Sequence, residues 1–100
     1  MRFEFDWDPA KARSNRVKHG VSFEDAMAVF ADPLALSRVD EDQTFAEERW
    51  ITLGVVGIGR LLLVVHTYIE ISSDRIAIRI ISARHATRRE ARQYEEGVAP

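Results

Sequence analysis

The chain has 100 residues, with 14 lysines and arginines against 16 aspartates and glutamates, and no cysteine. That excludes disulfides and Cys-based metal sites, leaves room for a single core in one domain spanning residues 1–100, and shows no overall basic excess of the kind that marks a nucleic-acid binder. The longest apolar run, Leu61–Val65, is strand length and cannot cross a bilayer. Met1–Asp8 is too short and acidic for a signal peptide, so a cytoplasmic setting is expected.

Arg2–Trp7 alternates, with Phe3, Phe5 and Trp7 on one side and Arg2, Glu4 and Asp6 on the other, the pattern of a half-buried strand. Asp8-Pro9 then opens a helix, Asp8 as N-cap and Pro9 in the first turn, and Gly20 closes it after His19. Ser22 caps a second helix with a core stripe of Phe23, Ala26, Met27 and Phe30, ended by Asp32-Pro33. Leu34–Val39 reads as an edge strand and Asp40–Glu48 as a mobile acidic loop. Trp50–Val56 and Arg60–Thr67 form a hairpin around Gly57-Ile58-Gly59. If Val56 faces Arg60, Trp50 faces His66. Trp50, Thr52, Arg60 and His66 then share one side, and Ile51, Leu53, Leu61, Leu63 and Val65 share the apolar other. Tyr68–Asp74 reads as a loop. Isoleucines at 76, 78 and 80 mark a last strand, and Thr87 with Glu90 forms a capping box for a C-terminal basic helix. The expected fold is α+β: an antiparallel sheet of about four strands, two N-terminal helices and one C-terminal helix.

Charge is segregated. Glu24–Glu48 holds eight acids and one base, Arg38, whereas Arg75–Arg92 holds six arginines. An apolar strand therefore delivers Arg84 and His85 to a helix start, a setting suited to a phosphate. Arg79 interrupts the isoleucine strand, either as a phosphate clamp or as half of a salt bridge to Glu48 or Glu4. His66 is either a general acid–base or a strand histidine bonded to a neighbour. Lys18 and His19 are most simply a cationic helix C-terminus. The three histidines have no metal-ligand spacing, so no metal or other cofactor is expected.

The segments FDWDPAKARSN, KHGVSFEDAMAVFADP, EERWITLG, GRLLLVVHT and RIISARHATRREARQYEE cover nearly the whole chain in order. In them the sequence resembles the BrnT toxins of bacterial type II toxin–antitoxin systems. The resemblance implies a RelE-like fold and a ribonuclease that cleaves RNA without a metal. It also implies neutralisation by a BrnA-like antitoxin that itself binds operator DNA, so that this chain would meet DNA only indirectly. It carries over Lys18, His19, Arg49, Arg60, His66, Arg79, Ser82, Arg84 and Thr87–Glu90. His85 stands where the family often has lysine and Ala91 where it often has arginine, and the Tyr68–Asp74 loop is longer. The expected catalytic group is His66, Arg60, Arg79 and Arg84, with Lys18, His19, Arg88 and Arg89 binding RNA. A non-catalytic module that binds RNA or a protein through its basic helix is the alternative.

Overall fold

Local chemistry sets the ends of each element. The Asp8 carboxylate accepts from Ala10 N at 2.8 Å, and Gly20, at φ 68°, donates its N–H back to Arg16 O. Ser22 accepts from Asp25 N, and Thr87 and Glu90 exchange side-chain and backbone bonds in a complete capping box. In the computed structural model, which describes residues 1–42 and 47–100, the order is β1 (Arg2–Asp6), α1 (Pro9–His19), α2 (Phe23–Met27) and a 3-10 turn (Ala28–Ala31). β2 (Leu36–Val39), β3 (Trp50–Val56), β4 (Arg60–His66), β5 (Ile69–Ser72), β6 (Arg75–His85) and α3 (Arg88–Glu96) follow. Residues 43–46 of the expected mobile loop lie outside the described residues.

The strands form one mixed sheet of six, in the order β1-β6-β4-β3-β2, with β5 paired to β6 as well. Two expectations are corrected here. β1 pairs with β6 in parallel, Arg2 opposite Arg75 through Asp6 opposite Arg79, so the sheet is not wholly antiparallel. The segment read as a loop after Thr67 contains β5, which pairs with the first residues of β6. The hairpin has the expected register, Val56 opposite Arg60 and Trp50 opposite His66.

The core lies on the side of the sheet that carries His66, not on the side of Ile51, Leu61 and Val65 expected to be the apolar one. Val56, Leu62, Val64, Ile76, Ile78, Ile80 and Ala83 face Val21, Phe23, Ala26 and Val29 of the helical layer. Burying each of the larger of these contributes about 1.5–3 kcal/mol. Gly54 lets the layer approach closely: a Cβ there would lie 2.8 Å from Val29 Cγ1 and 3.1 Å from its carbonyl oxygen. Leu53 and Leu63, which point the other way, are buried too. α3 lies against β3 on the fold's far end, held by Tyr94, whose hydroxyl donates to Asp32 Oδ2 at 2.6 Å. The same carboxylate accepts from Val55 N and Leu34 N. Burial alone would raise the Asp32 carboxyl, but the bonds from Tyr94, Val55 and Leu34 outweigh it and hold it below its ordinary value. The Tyr94 phenol is pushed up to about 12 by its bond to Asp32.

Candidate active site

His66 is the most deeply placed of the candidate residues, with 1% of its surface exposed. Its Nδ1 lies 2.8 Å from the Thr67 carbonyl, which can only accept, so Nδ1 carries the hydrogen. Its Nε2 lies 2.6 Å from Thr52 Oγ1, and Thr52 Oγ1 lies 2.7 Å from Ser37 Oγ. Phe30 meets the imidazole edge-on at 4.7 Å. Desolvation lowers the imidazole from 6.5 to about 4, against a smaller opposing effect from the Thr67 carbonyl. A neutral ring bonded at both nitrogens has neither a proton to give near pH 7 nor an open lone pair to take one. The ring joins Thr52 of β3 to the backbone at Thr67.

The four expected catalytic residues do not converge. Arg60 sits six residues from His66 at the opposite end of β4, roughly 20 Å away at the rise of a strand. Its guanidinium donates to Asp25 at 2.9 Å. Arg79 donates to Asp6 at 3.3 Å, a neighbour in register on β1 and neither of the two acids expected. It lines an open cleft with Glu4, Asp6 and Glu47, whose acids outnumber it. Arg84 forms a two-pronged pair with Glu90, at 2.8 and 2.9 Å. The bond from Arg84 is the main reason the Glu90 carboxyl falls below its ordinary value, and the same bond raises the Arg84 guanidinium. Glu90 thus serves twice, as the capping-box acid of α3 and as the anchor of Arg84 to that helix. Arg88 and Arg89 are exposed on the first turn of α3.

A different group is brought together. The pairing of β4 with β6 shifts between Val65 and His66: His66 lies opposite Ile80, but Val65 lies opposite Ser82. Ile81 is the extra residue. Because cross-strand partners share a face, Ser82 and Arg84 stand with Val65 and Leu63 on the side away from the helical layer, and Arg79 is on that side as well. β1 stops pairing at Arg79, so the outer edge of β6 beyond it needs another partner. Asn15 supplies it. This buried side chain donates to Ala83 O at 2.8 Å and to Val21 O at 3.0 Å, and accepts from Ala83 N at 3.1 Å. The cationic end of α1 is thereby held against the bulge, and Lys11, Asn15, Lys18 and His19 line a cleft with Ile81 and Ser82. Lys18 and His19 are exposed there.

Sequence reasoning passed over Asn15, because a lone asparagine in a polar helix gives no sign that it will be buried. It also ranked Lys18 and His19 below His66, since only the packing of α1 on β6 brings them to Ser82. Among the described residues no three histidine, aspartate or glutamate side chains cluster in a way that could hold a metal ion, and no helix is long and apolar enough to cross a membrane.

Residues 7–90 match the model of a family described as the ribonuclease toxin BrnT of a type II toxin–antitoxin system. Among solved structures, the crystal structure of the Brucella abortus ribonuclease toxin BrnT is similar, at 25% identity and a TM-score of 0.59, covering 87% of this chain and 100% of that one. No curated protein matches the sequence.

Proposed function

This chain belongs to the BrnT family of ribonuclease toxins of type II toxin–antitoxin systems, and from that premise we propose that it is a metal-independent endoribonuclease working at the outer edge of β6. The observation that carries the reading is the meeting of Lys18 and His19 with the bulged strand at Ile81–Ser82.

Cleavage of RNA without a metal needs a base for a ribose 2′-hydroxyl, an acid for the departing oxygen, and cations around the phosphate. The 2′-oxygen forms a bond to phosphorus and the bond from phosphorus to the 5′-oxygen breaks. The base takes the 2′ proton and the acid delivers one to the 5′-oxygen, leaving a 2′,3′-cyclic phosphate and a 5′-hydroxyl. We assign the general-base step at the 2′-hydroxyl to His19, an exposed imidazole, and the proton for the 5′-oxygen comes from solvent. Lys11 and Lys18 neutralise the phosphate, Arg88 and Arg89 extend the cationic track, and Arg79 stays with Asp6. A concentration of cations repels a divalent ion, which supports the metal-independent reading. Arg84 acts as a positioning residue through Glu90, since its guanidinium is already engaged. His66 and Arg60 receive no contact with RNA in this scheme.

The type II family implies an antitoxin partner. In this proposal the antitoxin is BrnA-like and any contact with operator DNA runs through it. Cleavage takes place in the cytoplasm, where it inhibits translation and growth, and the fold is RelE-like.

The test is incubation of the purified chain with RNA in EDTA, comparing His19→Gln and His66→Gln. Removing a general acid–base costs about 10²–10⁴-fold in rate, so the His19 variant should lose that much and a folded His66 variant should keep its activity. The reverse pattern returns the chemistry to His66. RNA binding without cleavage by the unaltered chain makes the protein a binding module.

A further inference from the structure

On the helical side of the sheet, beyond the 3-10 turn, the core stays open. Phe3, Phe30, Trp50 and Tyr68 wall a cavity of about 370 Å³, with Ser37, Thr52 and His66 at its base. Trp50 and Tyr68 stand tilted to one another, with ring centres 5.7 Å apart. None of these side chains belongs to the cationic edge of β6.

The base of the cavity has a fixed hydrogen-bond polarity. His66 Nδ1–H is committed to the Thr67 carbonyl, which leaves Nε2 as an acceptor. The Thr52 hydroxyl must donate to it. Thr52 Oγ1 then accepts from the Ser37 hydroxyl, whose own proton is thereby used. Ser37, the exposed end of this chain of bonds, is left with lone pairs only. The cavity therefore offers an acceptor to whatever enters. One carboxylate stands beside it: exposed Glu48 holds the Trp50 indole N–H at 3.2 Å. The nearest base on β2, Arg38, lies opposite Ile51 and so points from the other face.

Aromatic walls, an acceptor at Ser37 and the Glu48 carboxylate beside Trp50 are each complementary to one kind of group, a cation that also donates hydrogen bonds. We propose that this cavity is a docking site for an arginine side chain presented by a protein partner, its guanidinium laid against the Trp50 and Tyr68 rings and donating to Ser37. The planar cation lies flat on an aromatic ring better than an ammonium does. A nucleotide would share the aromatic contact, but its phosphate would meet Glu48. The inference goes beyond the ribonuclease reading and does not depend on it, since no residue of the cavity lines the cleft at the outer edge of β6.

The test is a titration of the isotope-labelled chain with N-acetyl-arginine amide, followed by nuclear magnetic resonance. N-acetyl-citrulline amide, neutral and nearly the same shape, and adenosine monophosphate are the comparison probes. The arginine amide should shift the Trp50 indole N–H and the Ser37, Thr52 and Tyr68 amides along one saturating curve, with a Kd on the order of 1–10 mM and at least tenfold tighter than citrulline. Glu48→Gln and Ser37→Ala, both at exposed positions, should each weaken binding about threefold or more while leaving RNA cleavage unchanged. Equal shifts from citrulline and arginine, no saturation by about 50 mM, or shifts from the nucleotide alone would each overturn the assignment.

Discussion

Lowering the pH from 7 to 5 should destabilise this protein chiefly through His66. The imidazole is held at about 4 in the folded chain against an ordinary 6.5. Between those values the unfolded chain binds a proton that the folded chain refuses, so unfolding is favoured as the pH falls. The sign follows from a depressed folded value for a base: stability is fully present above 6.5 and is lost on the way down to 4. Each unit is worth about 1.4 kcal/mol, so the full span is about 3 kcal/mol, of which about 2 kcal/mol falls between pH 7 and pH 5. Glu4, Glu90 and Asp32, all lowered from ordinary values of 4.5, 4.5 and 3.8, contribute little over that interval, because their losses fall mainly below pH 5. The assay is urea unfolding at pH 7, 6 and 5 in the unaltered chain and in His66→Gln. With a slope of about 1–2 kcal/mol per molar urea, the midpoint should fall by about 1–2 M in the unaltered chain. The glutamine variant, less stable at pH 7, should show little change with pH. A midpoint that is the same at pH 7 and pH 5 in the unaltered chain would refute the assignment of His66 as a neutral, desolvated ring.

Gly54→Ala drives a methyl against Val29 and should cost about 1–3 kcal/mol by thermal unfolding, whereas an unchanged transition would show that the 3-10 turn yields freely. Tyr94→Phe removes the bond to Asp32 and should cost about 1–2 kcal/mol; ultraviolet titration should show one phenol ionising near 12 that is missing in the variant. Arg84→Lys keeps the charge but loses the fork on Glu90, so it should loosen α3, seen as faster amide exchange at residues 88–96, and leave the β6 edge in place. Unchanged exchange in α3 would show that the capping box alone holds the helix start.

Local chemistry was legible in the chain itself. Asp8-Pro9, Ser22, Gly20 and the Thr87–Glu90 box set helix ends by bonds reaching two to four residues, so the residues concerned are neighbours in sequence. The hairpin register followed from the same short range, because a three-residue turn leaves little freedom in pairing. The family too was readable from the order of matching segments. Tertiary structure decided what lies far apart in the chain. The pairing of β1 with β6 joins residues more than seventy apart, and no alternation in Arg2–Trp7 tells a parallel from an antiparallel partner. Which side of the hairpin meets the helices was equally undetermined, because both faces are rich in aliphatics and only the approach of Val29 to Gly54 breaks the tie. That choice buries His66 against Phe30 and Thr52. Asn15, sixty-eight residues from Ala83, brings His19 to Ser82 instead. A histidine's role depends on its solvation and its partners, and both are properties of packing and not of neighbours in sequence.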